Sequence, residues 1–145
     1  MMLSNYFTRE QLTFSETATR RCLPNEPGEA ELSALQSLCL HLLDPLHVKW
    51  YRPLIITSAY RSVEVNRLIG GAVTSQHVRG EAADIRVAGL TVHEVVAMIR
   101  RSGFVFDQLI HETSWTHLSF SRTHNRGEVL RAIFAAGRKT QYVRL

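Results

Sequence analysis

Two short segments alternate between apolar and polar residues, and they limit the possible folds of this chain more than any other feature. In Ala82–Val87 (AADIRV), Ala83, Ile85 and Val87 fall on one face of a strand, while Asp84 and Arg86 share the other with the small Ala82. In Trp115–Ser121 (WTHLSFS), Leu118 and Phe120 share a face, and Trp115, His117 and Ser119 take the opposite one. A lone carboxylate within an apolar strand needs a partner or a wet cleft. The chain therefore calls for a sheet with one face on a core and the other carrying polar groups. If both strands belong to that sheet, Asp84 and His117 meet on its open face.

The cover for the apolar face comes earlier. Leu32, Leu35, Leu38, Cys39, Leu42, Leu43 and Leu46 recur at intervals of three and four, which predicts a helix from Glu29 to His47 with one apolar side. Thr8 with Gln11, and Thr91 with Glu94, read as capping boxes that open two more helices, the second ending at Gly103. CLPNEPG at 22–28 reads as a loop. Leu54–Ser58 reads as a strand, followed by a turn at Ala59–Ser62 and a helix through Val65 and Leu68 that stops at Gly70-Gly71. Ala72–Gly80 is a loop. Asp107–His111 is a strand, and Val129–Leu145 reads as two strands around Gly137. Helices come early and strands late, which gives an α+β fold: a small, mainly antiparallel sheet with N-terminal helices on one face and a cleft on the other.

At 145 residues the chain suits a single domain, 1–145. No apolar run reaches the roughly 18–20 residues of a membrane span, so stable membrane insertion is not expected. MMLSNYFTREQ lacks the basic region and apolar stretch of a secretory signal. The two cysteines, Cys22 and Cys39, form no CxxC pair, and Cys39 reads as a buried thiol. The net charge of +4 is spread over scattered arginines without a basic block, which speaks against nucleic acid as a partner and is compatible with an acidic polymer.

His77 lies in the loop before the first alternating strand. Gly80 and Ala82 let that loop fold back, so its imidazole can return over Asp84. Two imidazoles and one carboxylate around a point are a ligand set that zinc accepts with a fourth position left for water, which then loses its proton near neutral pH.

SQHVRGEAAD fits the pattern S-x-H-x-x-G-x-A-x-D at Ser75, His77, Gly80, Ala82 and Asp84, and Trp115 and His117 supply W-x-H. With these motifs the chain resembles the zinc D-Ala-D-Ala carboxypeptidase family of murein peptidases and VanX-like dipeptidases, most closely its short single-domain bacterial and prophage members. The resemblance runs from YFTREQL through the tail. It implies one zinc per chain on His77, Asp84 and His117. It implies Glu112 as the general base on the metal's water, and Arg61, in TSAYRS, as a catalytic and substrate-binding cation. It also implies substrate contacts for Ser75 and Trp115. Several members place the base three residues before the last His, where this chain has Ser114; others allow a variable connection, and this chain groups with those. His111 ranks as a second polar candidate.

The activity implied is metal-assisted hydrolysis of bonds involving D-amino acids in peptidoglycan stem peptides, by a monomer working at the cell wall as a carboxypeptidase or an endolysin-type endopeptidase. A zinc-containing cell-wall-binding module without catalysis is the rival, and the presence of Glu112 and Arg61 speaks against it. Each residue also has a plainer role open to it: Arg61 pairing with Glu64, Ser75 ordering its loop, Trp115 packing, and Glu81 standing in solvent.

Overall fold

The computed structural model describes residues 1–145. All strands join one six-stranded sheet in the order β1-β2-β4-β3-β5-β6. Here β1 is Leu54–Ser58, β2 Ala82–Val87, β3 Gln108–His111, β4 Thr116–Ser119, β5 Glu128–Ile133 and β6 Gln141–Arg144. Every pairing is antiparallel except β3 with β5, which run parallel. The α+β expectation, with a mainly antiparallel sheet, holds.

The helices are α1 (Arg9–Thr13), α2 (Glu16–Arg20), α3 (Glu29–Leu38), α4 (Asp44–Trp50), α5 (Val63–Leu68) and α6 (Val92–Ser102). Both capping boxes form, at Thr8/Gln11 and at Thr91/Glu94, each worth about 1 kcal/mol. α2 is a single turn too short to show a periodic apolar pattern, capped by the Ser15 side chain on the Ala18 N–H.

The expected long helix is present but not uniform. Between α3 and α4 the chain makes a π-helical turn, Cys39–Leu43, in which the Asp44 N–H bonds the Cys39 carbonyl. The cause is Pro45. A proline has no N–H to give, and its ring crowds the carbonyl one turn back. The wider turn accommodates this and lets the helix run on to Trp50. Leu42, Leu43 and Leu46 stay fully buried across it.

The core lies between this helical segment, α6 and one face of the sheet. Leu35, Leu38, Leu42 and Leu46 meet Ala83, Ile85, Leu109 and Leu118 there, and α6 adds Val95, Val96 and Ile99. The helical cover is thus not purely N-terminal. Burying each large side chain contributes roughly 1.5–3 kcal/mol before entropy is counted. Cys39 is within this core, where burial pushes its thiol up to about 12; it is a packing residue, as the sequence suggested. No helix is long and apolar enough to cross a membrane.

Candidate active site

The register of the sheet sets the site. Asp84 in β2 stands directly opposite His117 in β4, and Ala82 stands opposite Ser119. On the other side of β2, Asp84 faces Ser58 of β1 across a bulge between Ile56 and Ser58. Thr57, the extra residue of that bulge, donates its hydroxyl to the Asp84 carbonyl at 3.1 Å. β1 leaves the sheet just beyond it and carries Ala59 toward the His77 loop.

His77 is 3% exposed. Its Nδ1 lies 2.6 Å from the Ala59 carbonyl oxygen. A carbonyl only accepts, so Nδ1 carries the proton and donates it. The Nε2 lone pair is then left facing inward, 3.3 Å from Asp84 Oδ1. His117 Nδ1 lies 3.1 Å from the same oxygen. The two rings meet edge to face with centroids 5.1 Å apart. One ligand atom from each of His77, Asp84 and His117 lies within 4.8 Å of the other two, a grouping that could hold a metal ion.

The electrostatics suit that use. Burial alone would raise Asp84, but His77 and His117 outweigh it and hold the carboxylate well below its ordinary range. Burial lowers His77 against the opposing pull of Asp84, which favours its neutral imidazole. An ionised carboxylate and a neutral imidazole are forms in which these groups bind a metal. A carbonyl fixing the far ring nitrogen of a histidine is a usual support for a metal ligand. The donor set therefore fits zinc.

The loop holding His77 is tied at several points. The Ser75 hydroxyl accepts the His77 N–H at 3.2 Å, which is the loop-ordering role left open for it. The His77 carbonyl accepts the Arg61 and Gly80 N–H groups at 3.1 and 3.3 Å. Gly80 has φ +73°, and a Cβ there would overlap the Glu31 carbonyl of α3. Its glycine serves a close approach to a helix as well as the return to β2. Glu81 is not simply solvated: it pairs with Arg79 Nε at 2.8 Å.

Arg61 makes no ion pair with Glu64. Its Nε is buried without a hydrogen-bond partner. Burial lowers it, while the charge of Asp84 opposes that shift. This is a guanidinium beside the ligands with hydrogen-bonding capacity to spare. Trp115 is half-buried just before β4, and alternation puts it on the face of His117.

Glu112 lies in the connection between β3 and β4. Its N–H bonds the Trp115 carbonyl at 3.1 Å, and its carbonyl accepts His111 Nδ1–H at 2.9 Å. Burial raises its carboxyl, the charge of Asp84 adds to the rise, and His117 opposes it. The carboxylate is thus within electrostatic reach of the ligand cluster. Ser114 is exposed and accepts from Arg86 Nη2 at 3.4 Å. The register answers the question of His111: it pairs with Thr116, while Ile110 pairs with His117. His111 therefore points to the opposite face of the sheet, and Ile110 lines the site.

Three contributors escaped the sequence reading. The Ala59 carbonyl is a backbone group and leaves no residue signature. Ile110 follows only from the strand register. Tyr142, in β6, places its hydroxyl 3.4 Å from Glu112 Oε1; the sequence offered a strand there but no position for it in the sheet.

No curated protein matches the chain in sequence. Residues 5–119, which include β1 to β4 with His77, Asp84, Glu112 and His117, match the Peptidase M15 family. Members of that family are zinc metallopeptidases acting on peptidoglycan. With a match over most of its length, and a paired-histidine and aspartate cluster at the centre of its sheet, the chain belongs to the Peptidase M15 family.

Proposed function

We propose that this chain is a zinc metallopeptidase that hydrolyses peptide bonds involving D-amino acids in peptidoglycan stem peptides. The observation that carries the proposal is the convergence of His77, Asp84 and His117 on one point, with Glu112 and an unpartnered Arg61 within electrostatic reach. Zinc held there supplies Lewis-acid polarisation and acidity for an attacking water.

The protein's own groups do the rest. Glu112 removes the proton of the attacking water at a carboxylate oxygen and passes it to the departing amine. Its partly buried setting makes it a stronger base than a carboxylate in solution. Arg61 offers N–H donors to the developing oxyanion, or to the terminal carboxylate of a stem peptide. Ser75 and Trp115 border the cleft and contact the peptide. The enzyme works as a monomer at the cell wall, and nucleic acid is not its partner.

The test is incubation of zinc-loaded protein with purified muropeptides and identification of the products by mass. Release of terminal D-Ala marks a carboxypeptidase, and cleavage of an internal bond an endopeptidase. Glu112→Gln should retain zinc and lower kcat by about 10³-fold. A binding module would keep its affinity in that variant and show no turnover in the wild type, which would overturn the peptidase reading.

A further inference from the structure

Glu112 is held in place through its backbone on both sides, but its side chain has one hydrogen-bond partner, the Tyr142 hydroxyl at 3.4 Å. Tyr142 comes from outside the residues matched to the family, which end at 119. It reaches Glu112 because of two features of the sheet. β5 joins parallel to β3, with Leu130 opposite Ile110, so Leu130 and Ala132 share the face of His117. β6 then pairs with β5, with Tyr142 opposite Ala132. The small Ala132 leaves room for the phenol to lean from the outermost strand toward the β3–β4 connection.

We propose that Tyr142 is a positioning residue for hydrolysis: its hydroxyl donates to Oε1 of Glu112 and turns Oε2 toward the attacking water. This rests on the peptidase reading. The contact is long for a hydrogen bond between oxygens, so the phenol orients the carboxylate without locking it. A phenol is suited to the task because it donates one proton and adds no charge beside a base. Tyr142 is 49% exposed, so its ring is also open to a bound peptide.

The experiment compares wild type, Tyr142→Phe, Tyr142→Ala and Glu112→Gln on the muropeptide cleaved by the wild type, with kcat and KM measured separately alongside zinc content and melting temperature. Tyr142→Phe should lower kcat by about tenfold, with KM, zinc content and melting temperature unchanged. Tyr142→Ala should add a rise in KM. Wild-type kcat in Tyr142→Phe, next to an inactive Glu112→Gln, overturns this role and leaves the peptidase reading intact. A Tyr142→Phe protein that loses zinc or melts early assigns the hydroxyl to structure and also overturns it. A wild type inactive on every muropeptide overturns the peptidase reading and takes this role with it.

Discussion

Asp84 and His117 occupy directly opposed positions in neighbouring antiparallel strands, and the Asp84 carboxylate lies 3.1 Å from His117 Nδ1. The backbone hydrogen bonds of the sheet, rather than the metal, hold these two ligands together. The core that supports the sheet lies on its other face. Metal removal should therefore leave a folded protein. In a thermal melt followed by circular dichroism, chelated protein should unfold cooperatively. Zinc at about a hundred times its dissociation constant should add about 2.7 kcal/mol, a rise of roughly 5–11 °C. A chelated protein with no folded baseline would contradict this.

Ser75 contacts the His77 backbone, and a substrate role is proposed for it as well. The two roles separate in Ser75→Ala. If the hydroxyl mainly fixes the His77 loop, zinc affinity should fall by about tenfold, as for other supports of metal ligands. Competition titration with a fluorescent chelator measures this. Unchanged zinc affinity with a raised KM would instead assign Ser75 to the peptide alone.

Gly80→Ala should be costly for two reasons that add. Its φ of +73° disfavours any side chain, and the Glu31 carbonyl occupies the space a Cβ needs. The expected loss is about 3 kcal/mol, or roughly 6–12 °C in Tm. Gly137→Ala provides the control: its φ is +75° but nothing lies within 4 Å of the added carbon. It should cost about 1 kcal/mol. Equal melting temperatures for the two variants would rule out the clash with α3.

Asp107 is buried and accepts three bonds from Arg126: the backbone N–H and Nε at 2.9 Å, and Nη2 at 2.8 Å. These bonds hold Asp107 below the usual carboxylate range. A carboxyl lowered by folding stabilises the protein above its unfolded pKa, and that stability is lost as the pH falls through the folded value. Asp107→Asn should cost about 2 kcal/mol at pH 7, discounted here for the half-exposed guanidinium. The gap between variant and wild type should close as the pH drops below about 4. Urea titrations at pH 7 and pH 3 measure it, and a gap of constant size would exclude the ion pair as its cause.

The convergence of Asp84 and His117 was legible because a strand has a period of two. One polar residue inside an apolar alternation names its own face, and Asp84 and His117 both did so. His77 was legible through the glycine after it and the pattern around it, although the main neighbour that requires Gly80, the Glu31 carbonyl, belongs to a helix far away in sequence. His111 shows the limit of such reasoning. It is a polar residue next to Glu112, and only the pairing of Ile110 with His117 reveals that it faces away. Tyr142 was out of reach because the parallel joining of β5 to β3 depends on tertiary packing. The π-helical turn before Pro45 left a trace in the proline, but the apolar stripe continued through it and hid the irregularity.

The order of strands divides the labour of the cleft. β2 and β4 are interior strands, bonded on both sides, and they carry two of the three ligands. Glu112, Arg61 and Tyr142 come from a connection, a turn before α5 and the outermost strand. These three lie outside the strands that pair Asp84 with His117, and the His77 loop, whose carbonyl accepts the Arg61 N–H, links the two sets. Under the proposed peptidase role, exchange of the terminal hairpin would change what surrounds Glu112 while β2 and β4 stay paired.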